Sequence, residues 1–305
     1  MTGSLPNKTP RGPMARWRER WFYILAAPWL VGLVFFQAGP ILGTLLLSFA
    51  DWRLPAVPYY VGLDHFITLA GDPLFWRTLL NTLYYTAGTV PLGIGVGLGL
   101  ALLLNTPRRT GRFFRTLFFL PVILSGTATI LVWGWLFNPR YGAVNSLLAV
   151  IGIQGPGWLF DKHWAMPALI LMSLWNCGIN IVIYLAALQN IPQELVEAAA
   201  LEGATRWRRF WHVIWPLLSP VTFYLVVANM IGALQVFTPS YLLTRGGPDN
   251  ATLTLPLYIY LNAFSWGKMG YAAALGMMLL AAVMALTLFQ FHLGRRWVFN
   301  PRAAH

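Results

Sequence analysis

Five side chains set within otherwise apolar stretches carry the hydrogen-bonding chemistry of this sequence: Trp175, Asn176 and Asn180 in one stretch, Asn229 and Gln235 in another. Asn176 and Asn180 lie one helical turn apart, on one face. An amide both donates and accepts hydrogen bonds, which suits a neutral solute carrying both kinds of group, and the flat indole of Trp175 can stack on a ring. An unpaired amide is costly in hydrocarbon, so each must face a cavity or a partner; hydrogen bonding between helices is the other use of these groups. Ser125 and Thr127 are weaker candidates, because a hydroxyl can bond its own helix backbone. No catalytic set appears. There is no Gly-rich Lys-Ser/Thr loop for ATP, and His163, His212, His292 and the others are scattered without metal-ligand spacing. The chain reads as non-catalytic, with any ATP hydrolysis placed in another chain.

The elements that must position these groups are membrane spans. The 305 residues are 57% hydrophobic and 10% charged, against about 25% charged in a soluble domain. Six apolar runs can each cross about 30 Å of hydrocarbon as a helix: Phe22–Phe49, Leu79–Leu104, Leu117–Phe137, Ala165–Leu188, Trp215–Phe237 and Met269–Phe291. None contains Asp, Glu, Lys, Arg or His. The fold class is an all-α polytopic membrane protein. Residues 1–21 form a polar tail, 22–294 the membrane domain and 295–305 a second tail. Pro28 and Gly39-Pro40 predict a kink in the first run. Gly93, Gly95, Gly97 and Gly99 predict close helix packing in the second. Trp76, Tyr84 and Tyr85 suit the membrane interface, as do most of Tyr258, Tyr260, Phe264 and Trp266.

The net charge of +12 could suggest nucleic acid, but its distribution excludes that reading. With the amino terminus in the cytoplasm, 15 of the 21 Lys and Arg fall on the cytoplasmic side, in the two tails, the loop around Arg108–Arg115 and the loop with Arg206, Arg208 and Arg209. This is the positive-inside bias; it places both termini inside and leaves a basic surface for anionic lipid heads.

The loop between the fourth and fifth runs carries the most specific signal. Pro192 stands at a helix start, strong helix formers follow to Leu201, and Gly203 permits a backbone break. Glu202 and Arg206 stand at i,i+4 in the favourable order for a surface pair. Trp207, Phe210 and Trp211 are suited to wedge the loop against the membrane surface, and Pro216 opens the next run. The pattern Glu197-Ala198-Ala199, three residues, Gly203, nine residues, Val213-Ile214-Trp215-Pro216 closely resembles the EAA loop of ABC-importer permeases, with Val213 and Trp215 departing from the usual Ile and Leu. Leu242-Leu243-Thr244-Arg245-Gly246-Gly247-Pro248, Asn262-Ala263-Phe264 and Trp135-Leu136-Phe137-Asn138-Pro139 are similar to the sugar-type branch of that family, in its first-subunit form.

The resemblance implies the type I importer permease fold in a bacterial or archaeal plasma membrane. It implies pairing with a second permease, two ATPase subunits that use ATP and Mg, and an extracytoplasmic solute-binding protein. Loop 190–216 would be the coupling element, with Glu197, Ala198, Ala199, Gly203, Arg206, Trp207 and Pro216 at the ATPase. Substrate contacts would lie on the spans holding Asn176, Asn180 and Asn229. No cofactor is expected on this chain. A sugar, oligosaccharide or polyol is the expected solute, with glycerol-3-phosphate or a related phosphodiester as the alternative. An ion-coupled secondary transporter would need an ionisable group in a span, and none is present.

Overall fold

The computed structural model describes residues 13–53, 55–105, 113–114, 116–118, 120, 124 and 126–299. Pro6, Pro10, Pro121, Ser125, most of the Arg108–Arg115 loop and the chain after Phe299 lie outside the described residues.

Helix α1 (Pro13–Leu33) passes through a π-helical turn at Val34–Ala38 into α2 (Gly39–Leu47). Pro40 has no N–H, so the ladder widens by one residue just ahead of it. The kink expected at Gly39-Pro40 is thus a π-bulge, while Pro28 sits inside α1 without ending it. A short hairpin of β1 (Ala50–Asp51) and β2 (Tyr59–Tyr60), followed by α3 (Asp64–Ala70), leads to the 32-residue α4 (Pro73–Leu104). Asp72 caps α4, its Oδ1 accepting the Leu74 N–H at 2.9 Å, with Pro73 in the first turn. Within α4, Thr78, Thr82, Thr86 and Thr89 donate their hydroxyls to carbonyls three or four residues back, at 2.7–2.9 Å. That satisfies groups which water would satisfy elsewhere.

Beyond α5 (Gly126–Leu136) and α6 (Ala143–Val150), the fourth run is α7 (Ala165–Ser173), a 3-10 turn at Leu174–Asn176 and α8 (Gly178–Gln189), bent by 45°. A continuous span was the expectation. Asn176 and Gly178 are poor helix formers, and they fall at the break. Next come α9 (Gln193–Leu201), α10 (Arg206–Arg209), a π turn at Phe210–Ile214 and α11 (Trp215–Leu234). The fifth span therefore begins at Arg206, nine residues earlier than its apolar run. After α12 (Leu255–Tyr260) and a π turn at Leu261–Ser265, α13 (Met269–Trp297) runs six residues past the expected span, with Arg295 and Arg296 in its last turn. Cations are favourable there, against the negative end of the helix dipole.

Four described stretches are long and apolar enough to cross a membrane: Trp21–Leu47, Pro73–Leu104, Arg206–Leu234 and Met269–Trp297. The bent pair α7–α8 makes a fifth. Of the third expected span, Leu117, Phe118, Leu120 and the 11-residue α5 are described as helical; α5 alone is too short to cross. The main core is built where α4, α7, α8 and α11 meet, around Ala101, Leu169, Ile181, Tyr184, Leu218 and Leu225. The first span contributes no buried residue; within the chain it touches the bundle through α2 against α13.

A second cluster closes one end of the bundle. There the Asp72 carboxylate accepts hydroxyls from Tyr258 (2.6 Å) and Tyr271 (2.7 Å). Burial works against the Asp72 carboxylate, but those hydroxyls and the N–H groups of Leu74 and Phe75 outweigh it and hold its pKa below the usual value. Burial and the same carboxylate push Tyr258 up to about 12. Tyr258 is thus a buried network member rather than an interface anchor. Tyr260 and Phe264 belong to an aromatic stack with Phe237 and Tyr241, ring centres 5.2–5.3 Å apart.

Candidate functional site

A cavity of about 440 Å³ lies between α4, the bend of α7–α8 and α11. Asn176, Asn180 and Asn229 all line it. No charged side chain does. The bend sets Asn176 into the opening, where it is exposed and has no hydrogen-bond partner among the described residues. Asn180 is only 5% exposed. Its Nδ2 donates to the Gly93 carbonyl (3.2 Å) and to Asn229 Oδ1 (3.4 Å), while its Oδ1 accepts from Asn229 Nδ2 at 3.0 Å. Asn229 Nδ2 also donates to the Leu225 carbonyl, one turn back, at 2.8 Å. The two amides therefore form a reciprocal clamp that ties α8 to α11 and α4.

The other two candidates lie elsewhere. The Trp175 ring turns to a separate, apolar cavity of about 470 Å³ and meets Trp133 edge to face at 5.9 Å. Trp175 does not line the cavity that holds Asn176, although it is the adjacent residue in the 3-10 turn. Gln235 ends α11 and is exposed away from the cavity. Three polar residues unnoticed in the sequence also line the cavity, Thr89, Ser173 and Tyr224, and so does Tyr85, which is buried here at 6% exposure rather than placed at the membrane interface as expected. Tyr85, Thr89 and Gly93 recur at intervals of four on α4, a polar stripe that helical periodicity could have revealed. The packing glycines divide by the same periodicity. A Cβ on Gly97 would stand 2.7 Å from Asn180 Cβ, whereas Gly95 and Gly99 have nothing within 4 Å.

At the other end of α8, α9 stands exposed between two spans. Glu197 and Ala198 are exposed, Ala199 is half-buried, and Leu201 is 90% exposed. Gly203 takes φ +81°, the Ala204 N–H donates to Ala199 O and the Gly203 N–H to Ala200 O, each at 3.0 Å. That is a Schellman closure, which favours glycine. Thr205 then caps α10, its Oγ1 accepting the Arg208 N–H at 3.3 Å. Because the turn separates Glu202 from Arg206, they sit on different helices and form no ion pair; the sequence expectation of an i,i+4 pair is corrected. Behind α9 lies a cavity of about 370 Å³ lined by Asn105, Gln189, Gln193, Val196, Glu197 and Ile214. Trp207, 70% exposed, and Trp211 meet edge to face at 5.6 Å, while Phe210 and Trp215 pack on the main core. Pro216 lies in the first turn of α11.

A bent span beside an amide-lined cavity, with a capped helix projecting from the adjoining loop, defines a multi-pass membrane permease. Residues 91–298 match the model of the binding-protein-dependent transport system inner membrane component, and the chain belongs to that family. It is 36% identical over 294 residues to the lactose transport system permease protein LacF of Rhizobium radiobacter, covering 94% of this chain and 98% of LacF. It is 32% identical over 302 residues to the arabinooligosaccharides transport system permease protein AraP of Bacillus subtilis (strain 168), covering 96% of each. The fold matches a chain of the bacterial alginate ABC transporter solved in complex with alginate pentasaccharide-bound periplasmic protein, with a TM-score of 0.81, 26% identity and coverage of 92% of this chain and 95% of that one. The fold is that of a type I ABC importer permease.

Proposed function

We propose that this chain is one of two permeases in an ATP-driven importer of a sugar, oligosaccharide or polyol, with α9 as its coupling helix. The observation that carries the coupling role is α9 itself, which exposes Glu197 and the 90% exposed Leu201 on a rigid, capped turn. Leu195, Leu201, Trp207 and Trp211 of the same loop are all exposed, and an exposed apolar patch marks an interaction site. Its partner is an ATPase subunit, one of two, which binds ATP and Mg. Glu197 meets a basic group there, Ala198 and Ala199 allow close approach, and Gly203 shapes the turn. Arg206 and Trp207 extend the contact, and Pro216 fixes where the span begins. This chain holds no cofactor. ATP shifts the transporter between states only insofar as it binds one better, and α9 carries that difference to the bend of α7–α8.

The solute reading is supported by the lactose and arabinooligosaccharide relatives and by the alginate transporter fold. Asn176 meets the solute directly, while Asn180 and Asn229 do so when their clamp opens. The absence of charge around the cavity favours a neutral solute over glycerol-3-phosphate. An extracytoplasmic binding protein delivers it, and both termini face the cytoplasm of a bacterial or archaeal plasma membrane.

Purification of the tagged chain in mild detergent tests the assembly. Recovery of a second permease and an ATPase is expected, and Glu197→Arg is expected to abolish ATP-driven uptake while membrane insertion persists. Wild-type uptake by Glu197→Arg, or transport by the chain alone without ATP, overturns the reading.

A further inference from the structure

The end of the bundle assigned above to the exterior holds a second polar cavity, of about 250 Å³. Every side chain lining it carries a hydrogen-bonding group, and none is aliphatic. Its charges balance: Asp51 and Asp72 face Arg53 and Lys268. Both carboxylates are engaged, Asp72 as described and Asp51 with the Tyr59 hydroxyl (3.0 Å) and Arg53 Nε (3.3 Å). Asn262, 1% exposed, uses its Nδ2 on the Tyr258 carbonyl at 2.9 Å and presents the remainder of its amide as part of the wall. Trp266, 49% exposed, stands edge to face with Tyr258 at 5.9 Å, and the Lys268 ammonium lies 6.0 Å from its ring centre.

The walls are tied together through the backbone. The backbones of Arg53 and Lys268 pair as an antiparallel bridge, and the Gly270 N–H donates to the Trp52 carbonyl at 3.3 Å. Gly270 packs so closely that a Cβ would lie 2.0 Å from Ala50 O and 2.7 Å from His65 Nε2. A lone ion entering this cavity would meet as much opposing as attracting charge. A polyhydroxylated ring meets donors, acceptors and an indole wall at once. The volume lies just below that of pockets for drug-sized ligands, about 300–1,000 Å³, which suits one ring.

We infer that this outer cavity is a second saccharide site, holding one neutral glycosyl unit at the mouth of the transporter. The inference rests on the saccharide reading above.

Saturation-transfer NMR tests it, with lactose and raffinose as probes and the assembled transporter in nanodiscs without its periplasmic protein. Transfer is expected from the wild type and from Asn176→Ala. Trp266→Ala is expected to raise the apparent Kd roughly three- to tenfold, the range for an aromatic contact, and Trp266→Phe to restore most of it. Lys268→Ala, at the exposed rim, serves with the same expectation if Trp266→Ala does not assemble. Read in the Asn176→Ala background, which removes the inner contact, transfer insensitive to both substitutions overturns the site, as does no transfer from a wild type that imports sugar with its periplasmic protein. Weakened docking of that protein with an unchanged sugar signal makes the cavity a protein contact and also overturns it. A transporter that imports no saccharide sinks the underlying reading instead.

Discussion

The amides of Asn180 and Asn229 face each other, Asn229 Nδ2 donating to Asn180 Oδ1 at 3.0 Å and Asn180 Nδ2 to Asn229 Oδ1 at 3.4 Å. One pair of side chains thus joins the bent fourth span to the fifth, beside the cavity that Asn176 opens into. Breaking one partner leaves a buried amide unpaired, which costs about 1–3 kcal/mol. Removing both with leucine removes the unmet need as well. Asn180→Leu and Asn229→Leu singly are expected to lower the midpoint of thermal unfolding in detergent, and the double variant to lose less than the sum. Interhelical hydrogen bonds in membranes average about 0.6 kcal/mol, so the pair itself should be worth less than either single loss. A fully additive double variant would disprove the clamp.

Gly97 leaves no room for a side chain against Asn180, while Gly95 has open space. Gly97→Val is expected to destabilise the chain by about 1–3 kcal/mol, the range for overpacking. Gly95→Val should leave the stability of the isolated chain nearly unchanged. Thermal unfolding of the two variants side by side separates this reading from a general need for glycine in the span.

At Gly203 the constraint is the backbone, since nothing lies within 4 Å of a Cβ there. Gly203→Ala forces φ +81° on a residue with a side chain, at about 1–2 kcal/mol. Gly203→Asn should retain more uptake than Gly203→Ala, because Asn tolerates the left-handed region better. Equal uptake by the two variants would show that the turn geometry does not matter to coupling.

The Asp72 network makes stability depend on pH in a defined direction. The Asp72 pKa is lowered in the folded chain, so its contribution is present above the unfolded value, about 3.9, and is lost as pH falls through the lower folded value. The Tyr258 hydroxyl is raised to about 12, so its contribution is full below about pH 10 and fades as pH rises through about 12. Melting curves below pH 4 should therefore show a loss of stability that Asp72→Asn diminishes. An unchanged acid limb in Asp72→Asn would place the acid sensitivity elsewhere.

Much of this protein is legible in local patterns. Apolar runs long enough for a bilayer are a property of contiguous residues, and so are the Glu197-Ala198-Ala199 to Gly203 spacing and its helix stop. Those features allowed the membrane class, five described spans and the projecting helix to be read from the chain. Ends and breaks were less legible. The fifth span starts at Arg206 because a π turn carries the helix through a charged loop, and the fourth bends at Leu174–Asn176, where Asn176 and Gly178 interrupt the apolar run without introducing a charge.

Sequence by itself determined the solvent each segment prefers, because transfer between water and hydrocarbon acts residue by residue. Only the tertiary structure decided which polar groups meet. Asn180 finds Asn229 across 49 positions and Asp72 finds Tyr271 across 199, while Trp175, adjacent to Asn176, turns to another cavity. Hydrogen bonds act over about 3 Å, so their partners are set by helix packing and rotation, which no local periodicity encodes.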